Sequence, residues 1–415
     1  MAVSDRDVTV IGAGIVGVCC ALYLQREGFK VRLIDRGGPG EGASFGNAGN
    51  LGIASCVPLG LPGVLKKVPR MLFDADAPLK LQLGHFPRAL PWLLRFLAAS
   101  RPASVEAIAD ARHSLLSRLH EGYDPLIADA GAQDLINPSG LIMTWESEEA
   151  FAGAAYGLDL RRRRGIHFET LDGNEARQIE PSLSPAVARA VYIPRLAHVM
   201  DPLSLTQALA RDFQKRGGAV VRAAVSGFET GPDGPRKVVT DQGSLDASRI
   251  VIAAGVWSRP LAAQLGTDVP LEAERGYHVM FPEQETKLRV AVMSADRYIA
   301  VTHMNEGIRA AGIAEFAAPD APPNMAIAKT VRRHAQALIP RLKGEPKSEW
   351  MGPRPSHPDS KPVIGRSPRF PNVWFAFGHD HIGLALAGIT GKLIGELVAG
   401  KPPSVDLSPF RPDRF

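Results

Sequence analysis

The sequence predicts an α/β protein of two domains. One is assembled from three separated stretches of chain, and the other, of α+β type, is inserted between them. Three observations predict this. The N-terminus reads as strand, glycine turn, helix and strand, a single βαβ unit. The C-terminal stretch "NVWFAFGHDHIGLALAGITGKLIGELVAG" reads as another strand and helix of the same apolar character. Between them, "GYHVMF", "VAVMS", "RYIAVTHM" and "IRAAGIAEF" read as strands of a second sheet.

The length of 415 residues accommodates such an arrangement, and 45% hydrophobic with 22% charged residues is ordinary for a globular protein. The net charge of +5 is spread along the chain, which mildly favours anionic partners and is no nucleic-acid signature. Cys19, Cys20 and Cys56 are the 3 cysteines. Their spacing suits neither a metal site nor a disulfide framework, and the expected location is the cytoplasm. The stretch "DVTVIGAGIVGVCCALYL" is apolar enough to resemble a signal or a span, but its leader "MAVSDRD" carries both charge signs and no cleavage pattern follows.

The strand "VTVI" runs into Gly12, Gly14 and Gly17 with G-x-G-x-x-G spacing, a helix follows, and "KVRLID" ends at Asp35. The first glycine permits the tight turn, the second a close approach of backbone to pyrophosphate, and the third tight helix–strand packing. Unpaired N–H groups and the dipole at the helix start favour the anion, and Asp35 is placed to accept from ribose hydroxyls. This is a Rossmann-like dinucleotide fingerprint, which by itself does not decide between FAD and NAD. The small, polar, glycine-dense "GEGASFGNAGNLG" of residues 40–52 lets a bulky planar group come close to backbone. A surface loop is the alternative.

Residues 58–100 mix prolines, Trp92, Leu and Phe clusters and scattered Lys/Arg, the pattern of broken amphipathic helices. They suit docking on a membrane surface, at the cytoplasmic face of the inner membrane, or on a partner; the alternative is a helix pair packing its apolar face inward. The run Arg161–Arg164 reads as a solvated face. Asp201 reads as an N-cap, Pro202 as a first-turn residue, and Gly217 and Gly218 as the helix end before the strand "AVVRAAV". A hairpin around "GPDGP" and the strand "RIVIAAGVWS" follow. The expected boundaries are 1–50, 196–259 and 346–415 for the nucleotide-binding domain, and 51–195 with 260–345 for the substrate domain.

In "GPRPSHPDSKPVIG" Arg354 stands between Pro353 and Pro355, on a segment expected to be stiff and irregular. That rigidity suits a guanidinium aimed at a carboxylate; a structural pairing with Asp359 is the alternative. The tail "KPPSVDLSPFRPDRF" reads as an extended strap.

Taken in order, the N-terminal glycine motif, "ASFGNAG", "RGYH", "RPSHPDSKPVIG" and "GHDHIGLALAGITGK" resemble the D-amino-acid oxidase superfamily of FAD-dependent oxidoreductases, and among these the bacterial D-amino-acid dehydrogenases of small-subunit type. The resemblance covers nearly the whole chain. It implies an FAD-binding Rossmann-like domain, discontinuous, with an inserted α+β substrate domain covering the flavin. It implies FAD contacts from Gly12, Gly14, Ile15, Val16, Gly17, Asp35, Arg36, Ser44, Asn47, Ala48 and Gly49. Further contacts are implied from Val225 (backbone to adenine), Gly255, Gly378, His381, Gly383 and Leu384. Arg354 would clamp the substrate carboxylate, with Tyr277 sharing it and His381 touching flavin or substrate. His379, His278, Tyr298 and His303 are weaker candidates. No cysteine beyond Cys56 lies in the substrate half, so FAD is expected to be held non-covalently, with no metal. Asp380 stands where close relatives usually carry glycine. The implied reaction is oxidative deamination of a D-amino acid by hydride transfer, with electrons passed to a quinone or carrier. A secondary-amine substrate (D-hydroxyproline, sarcosine or an opine) and a non-enzymatic flavin-binding module are the alternatives.

Overall fold

The computed structural model describes residues 6–64, 79–285 and 287–415. Two sheets organise them. The first has six strands in the order Ala219–Arg222, Lys30–Asp35, Asp7–Ile11, Arg249–Ile252, Val373–Phe377, Val363–Arg366. All neighbours are parallel except the last pair. Its central strands are near-continuous apolar runs because helices cover the sheet. The helix Ile15–Arg26 and the last helix, Gly383–Val398, pack tightly: a Cβ at Gly391 would lie 2.6 Å from the Cys19 carbonyl oxygen. One helical stretch among the described residues, Asp380–Val398, has the length and apolarity of a membrane span, and most of it is buried inside the protein.

The second sheet has nine strands. Eight run in the order Ser348–Ser356, Glu272–Phe281, Gly307–Phe316, Ile299–Met304, Ala291–Ser294, Leu141–Trp145, Arg189–Ile193, Glu169–Asp172, and Leu79–Leu81 pairs beside Gly307–Phe316. The helix Ala326–Leu338 buries Ile327, Val331, Ala335 and Leu338 against one face, onto Tyr277, Val279 and Phe281. The opposite face of the strand Glu272–Phe281, carrying Glu274, Gly276 and His278, is left for the site.

Several expectations change. The segment around Arg354 is not irregular: Ser348–Ser356 is a regular edge strand, antiparallel to Glu272–Phe281, with Arg354 opposite Glu274. An edge tolerates two prolines at alternate positions because their protonless nitrogens share the unpaired side. Residues 348–356, assigned from sequence to the nucleotide-binding domain, therefore pair with the substrate sheet. The run Arg161–Arg164 is only partly a solvated face. Arg161 donates to the Ala54 and Gly157 carbonyls, and Arg164 is held by Glu106, Asp110 and the Leu160 carbonyl. Burial holds the Arg161 guanidinium below its usual value.

Within 58–100, residues 65–78, with Lys66, Lys67 and Arg70, lie outside the described residues, as does the start of the leader. The helix Phe86–Ala99 turns Trp92 inward, where its indole donates to the Ser356 carbonyl and stacks on Phe96. The Asp201 side chain caps the helix Pro202–Lys215 by accepting from the Leu203 N–H. The C-terminal strap is tied by Arg414, bidentate on Asp359, and by Phe415 stacked on His357.

Candidate active site

A cavity of about 450 Å³ runs from the N-terminal glycine turn to Arg354, between the two sheets. At its nucleotide end Gly12 adopts φ +107°, and a Cβ there would lie 2.4 Å from the Ala253 carbonyl oxygen. A Cβ at Gly17 would lie 1.8 Å from the Gly12 oxygen, so the third glycine packs helix on turn and does not face the cavity. The helix begins after Gly14 with no side-chain cap, and its first N–H, of Ile15, donates to the Ser44 hydroxyl. Asp35 closes the turn by accepting from Ala13 N–H at 2.6 Å and Gly37 N–H at 2.8 Å. Arg36 stacks over Trp257, 3.6 Å from the ring centroid.

Of the residues implied to bind cofactor, Gly12, Gly14, Ile15, Val16, Asp35, Arg36, Ser44, Asn47, Val225, Gly255, Gly378, His381, Gly383 and Leu384 line this cavity. Gly17, Ala48 and Gly49 do not. Ala48 gives its carbonyl to Thr302, and the Gly49 N–H donates to the Asn47 side chain, so both groups are engaged in shaping the loop. The loop is clamped to the substrate sheet by Arg309, whose Nη1 donates to the Phe45 and Asn47 carbonyls. Burial lowers that guanidinium to about 10. Sequence reading missed Arg309, because an arginine inside a strand announces no partner.

At the substrate end, a Cβ at Gly276 would sit 2.2 Å from the Arg354 guanidinium, so the missing side chain is what makes room for it. Arg354 Nη1 donates to Glu274 Oε1 at 2.7 Å, and Asp359 is occupied instead by Arg414 and Lys361. Glu274 Oε2 and Asp380 Oδ1 both contact the Ser356 hydroxyl, at 3.1 and 3.0 Å. Asp380 has φ +54°, the left-handed backbone that explains why glycine suits this position. Half-exposed His381 lies 3.2 Å from Asp380 Oδ2, off hydrogen-bond alignment. Trp350 forms a flat wall, stacked on His278 with centroids 5.1 Å apart.

Tyr277 does not join Arg354. It borders the cavity, but its side chain points to the helix-covered face, where its hydroxyl donates to Glu315 at 2.5 Å and accepts from Asn324 N–H. Burial, and then the Glu315 carboxylate, push that hydroxyl up to about 12, so it stays protonated. His379 and His278 are both lowered to about 3 by burial, and they stay neutral. His303 and Tyr298 do not line the cavity.

These residues fit FAD. The lining is a helix start whose N-cap, Gly14, offers no side chain, an acceptor carboxylate at the second strand's end, and a flat aromatic wall beside an elongated cavity. The second helix start, at Gly383, also lacks a side-chain cap and meets the cavity, where its dipole favours developing negative charge.

Fold and site together define a two-domain flavin enzyme whose second sheet faces the first across the cavity. The chain belongs to the FAD-dependent oxidoreductase family designated DAO, which its sequence matches over residues 7–397. It is 38% identical to the D-amino-acid oxidase of Bradyrhizobium diazoefficiens over 99% of both chains. To the D-amino acid dehydrogenase of Paramagnetospirillum magneticum it is 30% identical over 98% of both. Among solved structures, the L-proline dehydrogenase of P. horikoshii has the same fold, with a TM-score of 0.77 at 21% identity, covering 99% of this chain and 97% of that one.

Proposed function

We propose that this chain oxidises D-amino acids to 2-oxo acids, with FAD bound non-covalently and its electrons passed to a quinone or other carrier. Arg354 is the observation that carries the reading: one guanidinium on an edge strand, laid over Gly276 at the substrate end of the cofactor cavity. Glu274 engages Nη1, which leaves Nε and Nη2 as one full edge for a substrate carboxylate. The relatives called D-amino-acid oxidase and D-amino acid dehydrogenase support the substrate class.

Bound FAD supplies the two-electron acceptor. The chain's work is positioning, because the α-carbon must be held in line and small misplacements are costly. The amine must be neutral before hydride leaves, and in this reading its proton leaves to solvent at the half-exposed edge of the cavity beside His381. The imine then hydrolyses to a 2-oxo acid and ammonia. Adding D-amino acids anaerobically to the yellow holoenzyme should bleach its flavin absorbance, and acid precipitation should leave the colour in the supernatant. Cyclic and N-methyl amines in the same screen read the secondary-amine alternative. Peroxide formation against dye reduction separates oxidase from dehydrogenase. A flavin that no α-amino acid bleaches sinks the assignment.

For the electron acceptor, the helix Phe86–Ala99 is the docking surface in this reading. Phe86, Leu90 and Leu94, four residues apart, are 42%, 40% and 59% exposed, and Arg88 and Arg95 are exposed farther round the same helix. An exposed apolar stripe on a helix that also carries exposed cations suits an anionic lipid surface, where quinones reside. The protein should co-sediment with phosphatidylglycerol-containing vesicles, and Leu90→Glu with Leu94→Glu should abolish this while leaving dye-linked turnover intact. Wild-type protein wholly in the supernatant would count against a membrane acceptor.

A further inference from the structure

We propose that one proton, held between the carboxyl groups of Glu274 and Asp380 across the Ser356 hydroxyl, sets the charge that Arg354 presents to its ligand, so that carboxylate binding requires that proton to be retained. The proposal rests on Arg354 being the carboxylate clamp.

The geometry carries it. Ser356 Oγ lies 3.1 Å from Glu274 Oε2 and 3.0 Å from Asp380 Oδ1. All three side chains are buried. A serine hydroxyl has one proton and can donate to only one of the two. Were both carboxylates ionised, the other contact would set lone pair against lone pair in a place without water's screening. One carboxyl must therefore hold a proton and donate it to Ser356, which in turn donates to the other.

The surroundings say which. Asp380 faces Arg112, from the helix Pro102–Leu116, at 3.9 Å, and its neighbour His381 at 3.2 Å. Glu274 faces Arg354 across the strand pair, with Asp380 as an anion behind it. The next residue on the same face, Glu272, is already tied to His85 and Arg259. Burial and then the Asp380 charge push the Glu274 carboxyl up. Burial would raise Asp380 as well, but His381, Arg112 and the Ser356 hydroxyl hold it below the carboxylate range. The chain of donors thus runs from protonated Glu274 to Ser356 to anionic Asp380.

Glu274 does not line the cavity; it acts through Arg354, as a positioning residue. Neutral Glu274 accepts from Arg354 through its carbonyl oxygen and leaves a full positive charge for the ligand. Ionised Glu274 neutralises Arg354 and competes with the ligand for it. The group's folded pKa is raised, so affinity is full below that pKa and falls as pH rises through it.

The test uses the FAD-loaded enzyme and propionate, a carboxylate with no amine to titrate, with perturbation of the flavin spectrum as readout. Dissociation constants, expressed on ionised propionate, are measured from about pH 5 to about pH 9. In the wild type, Kd should be flat and then rise about tenfold per pH unit, the slope of one linked proton. Glu274→Gln, which keeps the hydrogen bonds and cannot ionise, should stay flat within about twofold. Asp380→Asn, which removes the anion that raises Glu274, should move the break to lower pH. A flat wild-type profile, or an unchanged slope in Glu274→Gln, overturns the proposal, and the wild-type profile decides even where a variant does not fold. Failure of propionate to bind, or equal binding by Arg354→Ala, overturns instead the assignment of the clamp on which it rests.

Discussion

Arg354→Ala should keep its FAD and lose about 30- to 1000-fold in kcat/KM on D-amino acids, or about 2–4 kcal/mol of transition-state stabilisation. FAD binding should survive because the residues expected to hold pyrophosphate and ribose, around Gly14 and Asp35, line the other end of the cavity. Folding should survive because Glu274, the partner of Arg354, already shares a proton with Ser356 and Asp380 and need not be left as a bare buried anion. Amines that lack a carboxylate never use the clamp, so their turnover should change by a far smaller factor. Arg354→Lys should recover only part of the loss, since a point charge cannot offer two parallel donors. Steady-state kinetics on matched substrates with and without the carboxylate check this directly. Equal losses on both, or a variant that no longer retains FAD, would make Arg354 a structural residue.

The nucleotide end was legible in the sequence because its signal is local. Three glycines, two strands and Asp35 lie within one βαβ unit, and spacing alone brings Gly12, Gly14 and Asp35 to one end of the cavity. The substrate end depends on which face of a strand a side chain takes, and that is set by partners distant in sequence. Tyr277 and Glu274 lie three residues apart on one strand and point to opposite faces. The expectation for Tyr277 followed the motif "RGYH" and not the pleat, so the face was misjudged. Alternation along "EAERGYHVMF" puts Glu274, Gly276 and His278 on one side, a signal that was present but had no reference until the sheet was known. The strand bearing Arg354 was hidden by its prolines, which only an edge position accommodates. Asp380 was visible as a departure from glycine. What it joins, Ser356 and Arg112, comes from residues 24 and 268 positions away, and no spacing rule reaches that far.

Gly12→Ala should disrupt the cofactor site more deeply than Gly14→Ala, although both glycines belong to one motif. At Gly12 the backbone is left-handed, and a Cβ would lie 2.4 Å from the Ala253 oxygen and 2.8 Å from the Ala254 Cα. Both are backbone atoms just past the end of the neighbouring strand Arg249–Ile252, and no rotamer can relieve them. Gly12 also donates to the Ile34 carbonyl at 2.8 Å, and Ala253 to that of Ile11, so a shift here opens the turn on both sides and pulls Ala13 off Asp35. Left-handed strain and overpacking each cost about 1–3 kcal/mol. At Gly14 the backbone is extended, and the nearest atom to a Cβ is the Ser44 hydroxyl at 3.4 Å, an ordinary contact. The methyl instead meets the pyrophosphate, a crowding of about 1–3 kcal/mol, or roughly 5- to 150-fold in the Kd for FAD. Gly12→Ala should therefore lower both the Tm of the flavin-free protein and its FAD content, whereas Gly14→Ala should lower FAD content and leave the flavin-free Tm near wild type. Flavin-to-protein absorbance ratios and thermal unfolding of the stripped proteins distinguish the two. A Gly14→Ala protein that loses as much Tm as Gly12→Ala while binding FAD normally would mean that the second glycine serves the turn and not the cofactor.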